Sequence, residues 1–158
     1  MNDPRCWALL AALRELTIMS TPPDGPWSIG KSDHKGRPLF VRINTGLRDT
    51  AGKPPFDHRF GVAVPLHSPG DDGLPIATES KELNHIKDEL SATFKPSGHT
   101  LLAVVLTTSG FREFVFYTSA PHDIQPAIER LKAQITSHKL QFYVRQDSDW
   151  EVYESYLF

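Results

Sequence analysis

Residues 101–118, with the sequence LLAVVLTTSGFREFVFYT, decide the fold of this 158-residue chain. The nearly continuous apolar run Leu101–Thr107 has the length of a strand and predicts a central strand that is buried on both faces. Ser109-Gly110 predicts a tight turn, and the alternating residues 111–118 predict the antiparallel partner strand. The chain is therefore expected to contain a β-hairpin at the centre of its sheet.

Apolar residues recur at helical spacing on both sides of this hairpin. They are Leu83, Ile86, Leu90 and Phe94 before it, and Ile124, Ile128, Leu131 and Ile135 after it. Because each set falls on one face of a helix, we expect two amphipathic helices that pack on the sheet. Thr78 or Ser80 is expected to cap the first helix through its side-chain oxygen. The second helix is expected to begin near Pro121.

Alternation of apolar and polar residues predicts three further strands, at 39–44, 59–66 and 140–145. From Val62 onward the order is strand, helix, strand, strand, helix, strand, which is the split β-α-β pattern of ferredoxin-like folds. Strand 39–44 is expected to pair with 60–66 as an extra strand. The predicted class is α+β: a ferredoxin-like β-α-β-β-α-β sandwich with an extra N-terminal strand and an antiparallel sheet with helices on one face.

The sequence predicts a single domain at 27–158, preceded by a leader or flexible extension at 1–26. The apolar run at 6–13 is far shorter than the roughly 20 residues that span a bilayer. It also lacks a small-residue cleavage pattern, so it favours a short amphipathic helix over a targeting segment. We therefore expect a cytoplasmic protein without membrane attachment, whose translational start is left open between Met1 and Met19.

The C-terminal tail carries three aromatic residues at spacing three, namely Trp150, Tyr153 and Tyr156. This spacing predicts a short helix over 148–157. Because so short a helix is unstable alone in water, its aromatic face must pack on the rest of the domain. We expect Trp150 to be buried with its indole N–H on an acceptor. The acidic residues of the tail are expected to face solvent or the arginines of neighbouring strands.

Composition and motifs exclude several function classes. Seventeen basic and nineteen acidic residues give a net charge of −2, so nonspecific nucleic-acid binding is disfavoured. The single cysteine excludes an internal disulfide. No two of the seven histidines lie within four residues of each other, and no nucleophile elbow or phosphate-binding loop is present. We therefore predict no catalytic residue, no metal ligand and no cofactor.

Two segments carry a resemblance to a known family. Residues 110–118 contain an Arg-Glu pair followed by aromatics and Tyr-Thr, and residues 147–153 fit the pattern D-x-x-W-x-x-Y. With the helix between them, they resemble the domain of unknown function 695 family (DUF695) of uncharacterised bacterial proteins, over about residues 27–157. The resemblance implies a ferredoxin-like fold. It implies no activity, cofactor or catalytic residue.

One surface of the predicted sheet is a candidate binding site. If the apolar residues of strands 39–44 and 140–145 point towards the helices, the residues that alternate with them form an open sheet face. The predicted binding residues on it are Phe40, Arg42, Asn44, Tyr143 and Arg145. Tyrosine and arginine are favoured at protein interfaces, so a protein partner or a second copy is expected. We therefore predict a non-enzymatic binding or regulatory module, unless the tail or the N-terminal segment covers this face.

An alternative function rests on an overlapping set of residues. Arg42, Asn44, Arg59 and Arg112 could line one cleft of an enzyme or a small-anion-binding protein. Such a site requires a concave pocket with convergent polar groups. Arginines gathered around one cleft would favour this alternative, whereas arginines paired to acids on a flat face would favour the binding module.

Overall fold

The structure is a computed structural model that describes residues 17–20 and 26–157. Its strands are β1 (Thr17–Ser20), β2 (Trp27–His34), β3 (Arg37–Asn44), β4 (His58–Pro65), β5 (Thr100–Thr108), β6 (Phe111–Thr118) and β7 (Gln141–Gln146). Its helices are α1 (Ala77–Phe94), α2 (Ile124–Gln134) and α3 (Glu151–Tyr156). In the described ranges, no helix has the length and hydropathy that a membrane span requires. The predicted helix at 6–13 lies outside the described residues.

All seven strands form one antiparallel sheet in the order β1-β2-β3-β5-β6-β4-β7. The α+β class predicted from the sequence is confirmed. The four strands from β4 onward lie side by side as β5-β6-β4-β7, and β1, β2 and β3 extend the sheet beyond β5. Because the order of the complete sheet differs from the four-stranded plan, the ferredoxin-like topology is not confirmed.

The central hairpin forms as predicted. Thr108 pairs with Phe111 across a two-residue turn, in which Ser109 and Gly110 have φ angles of 51° and 85°. Positive φ at both central residues is the type I′ geometry, whose twist matches that of the flanking strands. Strand β5 is buried along most of its length, because its side chains pack in hydrophobic cores on both faces of the sheet.

The predicted pairing of strand 39–44 with strand 60–66 is wrong. Strand β3 pairs with β2 and β5, and β4 pairs with β6 and β7. Each strand has only two hydrogen-bonding edges, and both edges of β4 are taken by strands from the second half of the chain. The N-terminal hairpin therefore extends the other end of the sheet. Strand β1, within the predicted extension at 1–26, pairs with the outer edge of β2.

Helices α1 and α2 cover one face of the sheet, called here the helix face. The predicted stripe of α1 is buried at Leu83, Ile86, Leu90 and Phe94. It packs with the buried residues of α2 against β4, β5 and β6. The predicted cap is wrong: α1 begins at Ala77, before both Thr78 and Ser80, and no side chain caps its first turn.

Helix α3 covers part of the opposite face, called here the tail face, so the prediction of helices on one face only is wrong. The short C-terminal helix itself is confirmed, and Trp150 is fully buried. Its indole N–H donates to the carbonyl of Phe56 at 2.7 Å, and its ring stacks on Tyr117 with centroids 3.8 Å apart. The apolar residues of β3 pack in this second core, under α3.

Candidate functional site

The structure does not bring the five predicted binding residues onto one face. Tyr143 belongs to the tail face, where its ring lies against Gly61, and Arg145 shares that face by alternation along β7. Phe40 and Arg42 belong to the helix face, because the intervening residues of β3 are buried under α3. Both strands alternate with period two, as predicted, but the apolar residues of β3 point to the tail face and those of β7 to the helix face. The prediction that the five residues share one open sheet face is therefore wrong.

The remaining predicted residue, Asn44, ends β3 and has a local structural role. Its amide donates to the carbonyl of Leu102 at 3.4 Å, and its side-chain oxygen accepts from the backbone N–H of Gly46 at 3.1 Å. Its own carbonyl accepts from the hydroxyl of Tyr153 at 2.7 Å. Asn44 thus joins the end of β3 to the adjacent turn and to α3.

The four residues of the alternative site also separate. Arg42 and Arg112 line one cleft on the helix face, whereas Arg59 lies on the tail face. Strand register explains the juxtaposition, because Arg112 on β6 lies opposite Thr107 on β5, and Arg42 on β3 lies opposite Val105. The two arginines therefore approach each other across the central strand.

This arginine cleft is bounded by the sheet, the start of α1 and the loop before it. It has a volume of about 310 Å³. Its lining residues are Ile29, Phe40, Arg42, Leu74, Pro75, Ser80, Asn84, Val105, Thr107 and Arg112. This volume falls at the lower end of the range for small-molecule sites, and the mixture of apolar walls with a few polar groups is typical of them.

The two guanidinium groups in the cleft are unequal. Arg112 is half-buried, and its Nε donates to the hydroxyl of Thr107 at 2.9 Å. Burial and the positive charge of Arg42 lower the pKa of Arg112 to about 10. Arg42 lies with its guanidinium 5.5 Å from the ring centroid of Trp27. Among the described residues that line the cleft, none is acidic, so the wall supplies no carboxylate to balance the two charges.

Arg59 has the opposite environment. It is almost fully buried, and its guanidinium donates to Oδ2 of Asp147 at 3.1 Å. The same carboxylate accepts from the Tyr117 hydroxyl at 2.9 Å and, through Oδ1, from the backbone N–H of Glu151 at 2.9 Å. Burial and the Asp147 carboxylate raise the pKa of Tyr117, so its hydroxyl stays a donor. This Arg59–Asp147 pair fixes the start of α3 on the sheet.

A third polar cluster joins His67, Glu79 and His138, with one potential ligand atom of each within 4.8 Å of the others. No metal ligand is predicted from the sequence, because no two histidines lie within four residues of each other. The two histidines are far apart along the chain, but strand pairing brings them together. Because β4 and β7 are antiparallel neighbours, His67, which follows β4, lies beside His138, which precedes β7. Only a prediction of this strand pairing could have shown that signal.

Comparison with known proteins identifies a family. The profile described as "Family of unknown function (DUF695)" matches residues 26–158. This match agrees with the resemblance that segments 110–118 and 147–153 carry. Searches of curated proteins and of solved structures give no significant match.

Proposed function

We propose that this chain, which belongs to the DUF695 family of unknown function, binds a small anionic ligand through Arg42 and Arg112. One observation carries the proposal: two guanidinium groups share a cleft whose described lining contains no carboxylate. Placing like charges together in a partly desolvated site is unfavourable unless a counter-charge joins them. A bound anion is the counter-charge that this cleft lacks.

The lining also indicates what kind of anion fits. Arginine presents paired donors that match the oxygens of a carboxylate or a phosphate group. Ile29, Phe40 and Leu74 supply apolar wall beside them, and the hydroxyl of Ser80 and the amide of Asn84 add neutral polar groups. The ligand is therefore an anionic group on a compact apolar body, such as an aromatic phosphate or carboxylate.

The proposal is one of binding without catalysis. The described lining of the cleft contains no acid, histidine or cysteine that could transfer a proton or act as a nucleophile. Phe40 and Arg42 keep the binding role predicted for them, now in the cleft. Tyr143 and Arg145 lie on the other face, where the ring of Tyr143 is 5.6 Å from the guanidinium of Arg59. We keep the cytoplasmic location that the sequence predicts as part of the same proposal.

Isothermal titration with phenyl phosphate tests the proposal. The wild-type chain is expected to bind it at one site, and benzyl alcohol, which has the ring without the charge, is expected not to bind. Arg42→Met and Arg112→Met should each weaken binding by about tenfold or more, because loss of a charge-assisted hydrogen bond is worth about 1.5–3 kcal/mol.

Arg37→Met is the matched control for these variants. Arg37 begins the same strand as Arg42 but is exposed and lies outside the cleft. Its loss changes the net charge equally, so its affinity for phenyl phosphate should remain that of the wild type. Equal weakening in all three variants would show a general charge effect, and unchanged binding in Arg112→Met would overturn the site.

A further inference from the structure

We propose that His67, Glu79 and His138 form a binding site for a divalent transition-metal ion, with Zn²⁺ as the probe. The site is independent of the arginine cleft. Glu79 and Glu82 lie on one flank of α1, whereas Ser80 and Asn84, which line the cleft, lie on the other by helical periodicity. Two imidazoles and one carboxylate are a donor set that zinc and related metals use in proteins.

The three side chains are already close together. Nε2 of His138 lies 2.7 Å from Oε2 of Glu79, and the rings of His67 and His138 have centroids 4.1 Å apart. The side chains of Glu79 and His138 are almost completely buried. A metal ion takes the place of the proton between Nε2 of His138 and Glu79, and that proton is released to solvent. The hydrogen bond is thereby replaced with two coordinate bonds.

Surrounding groups hold the ligands in place. The backbone N–H groups of His67 and Ser68 donate to the two oxygens of Glu79 at 2.6 and 3.1 Å. These bonds hold the carboxylate beside the loop that carries His67. They leave Oε1 with further capacity as an acceptor or ligand, since a carboxylate has about four lone-pair sites.

Both histidines contact Ser137 through a ring nitrogen. A ring nitrogen of His67, Nε2, donates to the carbonyl of Ser137, and Nδ1 of His138 lies 3.1 Å from the Ser137 hydroxyl. A metal-binding histidine characteristically bonds its second nitrogen to such a group, which fixes the tautomer and the ring orientation. One residue thus orients both imidazoles and leaves a nitrogen of each for the metal.

The cluster also has an entry path and a fourth potential ligand. His67 is exposed, so an ion can reach the buried pair from solvent on its side. The carboxylate of Glu82 lies 3.8 Å from Nε2 of His138, and about half of its side-chain surface is accessible. Glu82 can therefore approach a bound ion, or leave that position to water.

Isothermal titration with Zn²⁺ and the absorption spectrum of the Co²⁺-loaded chain test the proposal. The full-length chain carrying Cys6→Ser is used, so that the one thiol does not contribute. We expect one ion per chain. His67→Ala should weaken Zn²⁺ binding by at least 10–100-fold, on the order of the loss seen when even a supporting group of a metal site is removed. Because His67 is exposed, this variant is expected to fold.

His85→Ala is the matched control, since His85 is an exposed histidine on α1 outside the cluster. It should leave the Zn²⁺ affinity and the Co²⁺ spectrum unchanged. Glu79→Gln is a second ligand variant that keeps the side-chain shape and should also weaken binding. Failure of the parent chain to bind one Zn²⁺, or equal affinity in His67→Ala and the parent, would overturn the site. Neither result bears on anion binding at Arg112.

Discussion

Arg59 and Arg112 lie on paired strands of one sheet, yet Arg59 is paired with a carboxylate and Arg112 lies in a cleft whose described lining has none. Arg59, on the tail face, is buried against a carboxylate that two further donors also contact. Arg112, on the helix face, is half-buried beside a second arginine and donates to a neutral hydroxyl. A buried arginine with a counter-charge stabilises the fold. One without a counter-charge in a cleft is available to a ligand.

The difference follows from which segments of the chain reach each face. The tail brings Asp147 to Arg59, and Trp150 anchors it by stacking on Tyr117. On the helix face, the flank of α1 above the cleft presents Ser80 and Asn84, which are neutral. The acidic residue Glu79 lies on the other flank of α1, where its carboxylate is paired with His138. In the described lining of the arginine cleft, the two positive charges therefore have no acidic partner.

The largest effect is expected from Arg59→Met. It should lower the free energy of unfolding by about 3–5 kcal/mol, because it leaves the carboxylate of Asp147 buried without its counter-charge. Chemical denaturation of the variant and the wild type measures the difference. Asp149→Ala, at an exposed acid two residues from Asp147, is the control and should change it by no more than about 0.5 kcal/mol. A wild-type midpoint for Arg59→Met would mean that the pair contributes nothing to stability.

An intermediate effect on the free energy of unfolding is expected when low pH protonates the carboxylate of Glu79. Burial raises the pKa of this carboxyl, but hydrogen bonds from the His67 N–H, the His138 side chain and the Ser68 N–H outweigh it, and the net pKa lies below 4.5. Because the pKa is lower in the folded state than in the unfolded state, this stabilisation is complete above the ordinary value of 4.5 and is lost as the pH falls from there through the folded-state pKa. In the presence of a chelator, wild-type stability should therefore fall with acid more steeply than that of Glu79→Gln. If the free energy of unfolding fell equally with pH in the wild type and in Glu79→Gln, the carboxylate of Glu79 would not contribute to stability as proposed.

The smallest effect on stability is expected from Arg112→Met, the substitution matched to Arg59→Met. It removes a partly desolvated cation and one hydrogen bond to Thr107. Burying a charge without a counter-charge is unfavourable, so an apolar side chain of similar volume removes a cost that offsets the lost hydrogen bond. The melting temperature of the ligand-free variant should equal or exceed that of the wild type. A loss of about 2 kcal/mol or more would make Arg112 a structural residue like Arg59.

Local sequence signals predicted the elements well. The hairpin at 101–118, the stripes of both long helices and the buried Trp150 all depend on patterns within a few turns or one strand pair. The phase of β3 could not be predicted in this way, because alternation does not say which of two faces is covered. The strand lies beyond the long helices and packs its apolar side under α3, which the period alone cannot reveal.

The candidate sites were predictable only in part, for the same reason. The sequence predicts that Arg42 and Arg112 share a cleft, but it does not show that Arg59, also on a predicted strand, lies on the opposite face of the sheet. Its partner Asp147 lies 88 positions away. The histidine–glutamate cluster joins three segments whose proximity comes from the pairing of β4 with β7. No spacing along the chain carries that information.

The most direct measurement is the free energy of unfolding with and without phenyl phosphate, for the wild type and Arg112→Met in one series. A ligand that binds only the folded chain stabilises it by about 1.4 kcal/mol at ten times its dissociation constant. We predict this gain for the wild type and no more than about 0.4 kcal/mol for Arg112→Met, because its affinity is at least tenfold weaker at the same ligand concentration. The two chains should be about equally stable without ligand. An equal gain in both would contradict the claim that the unbalanced arginines form the binding site.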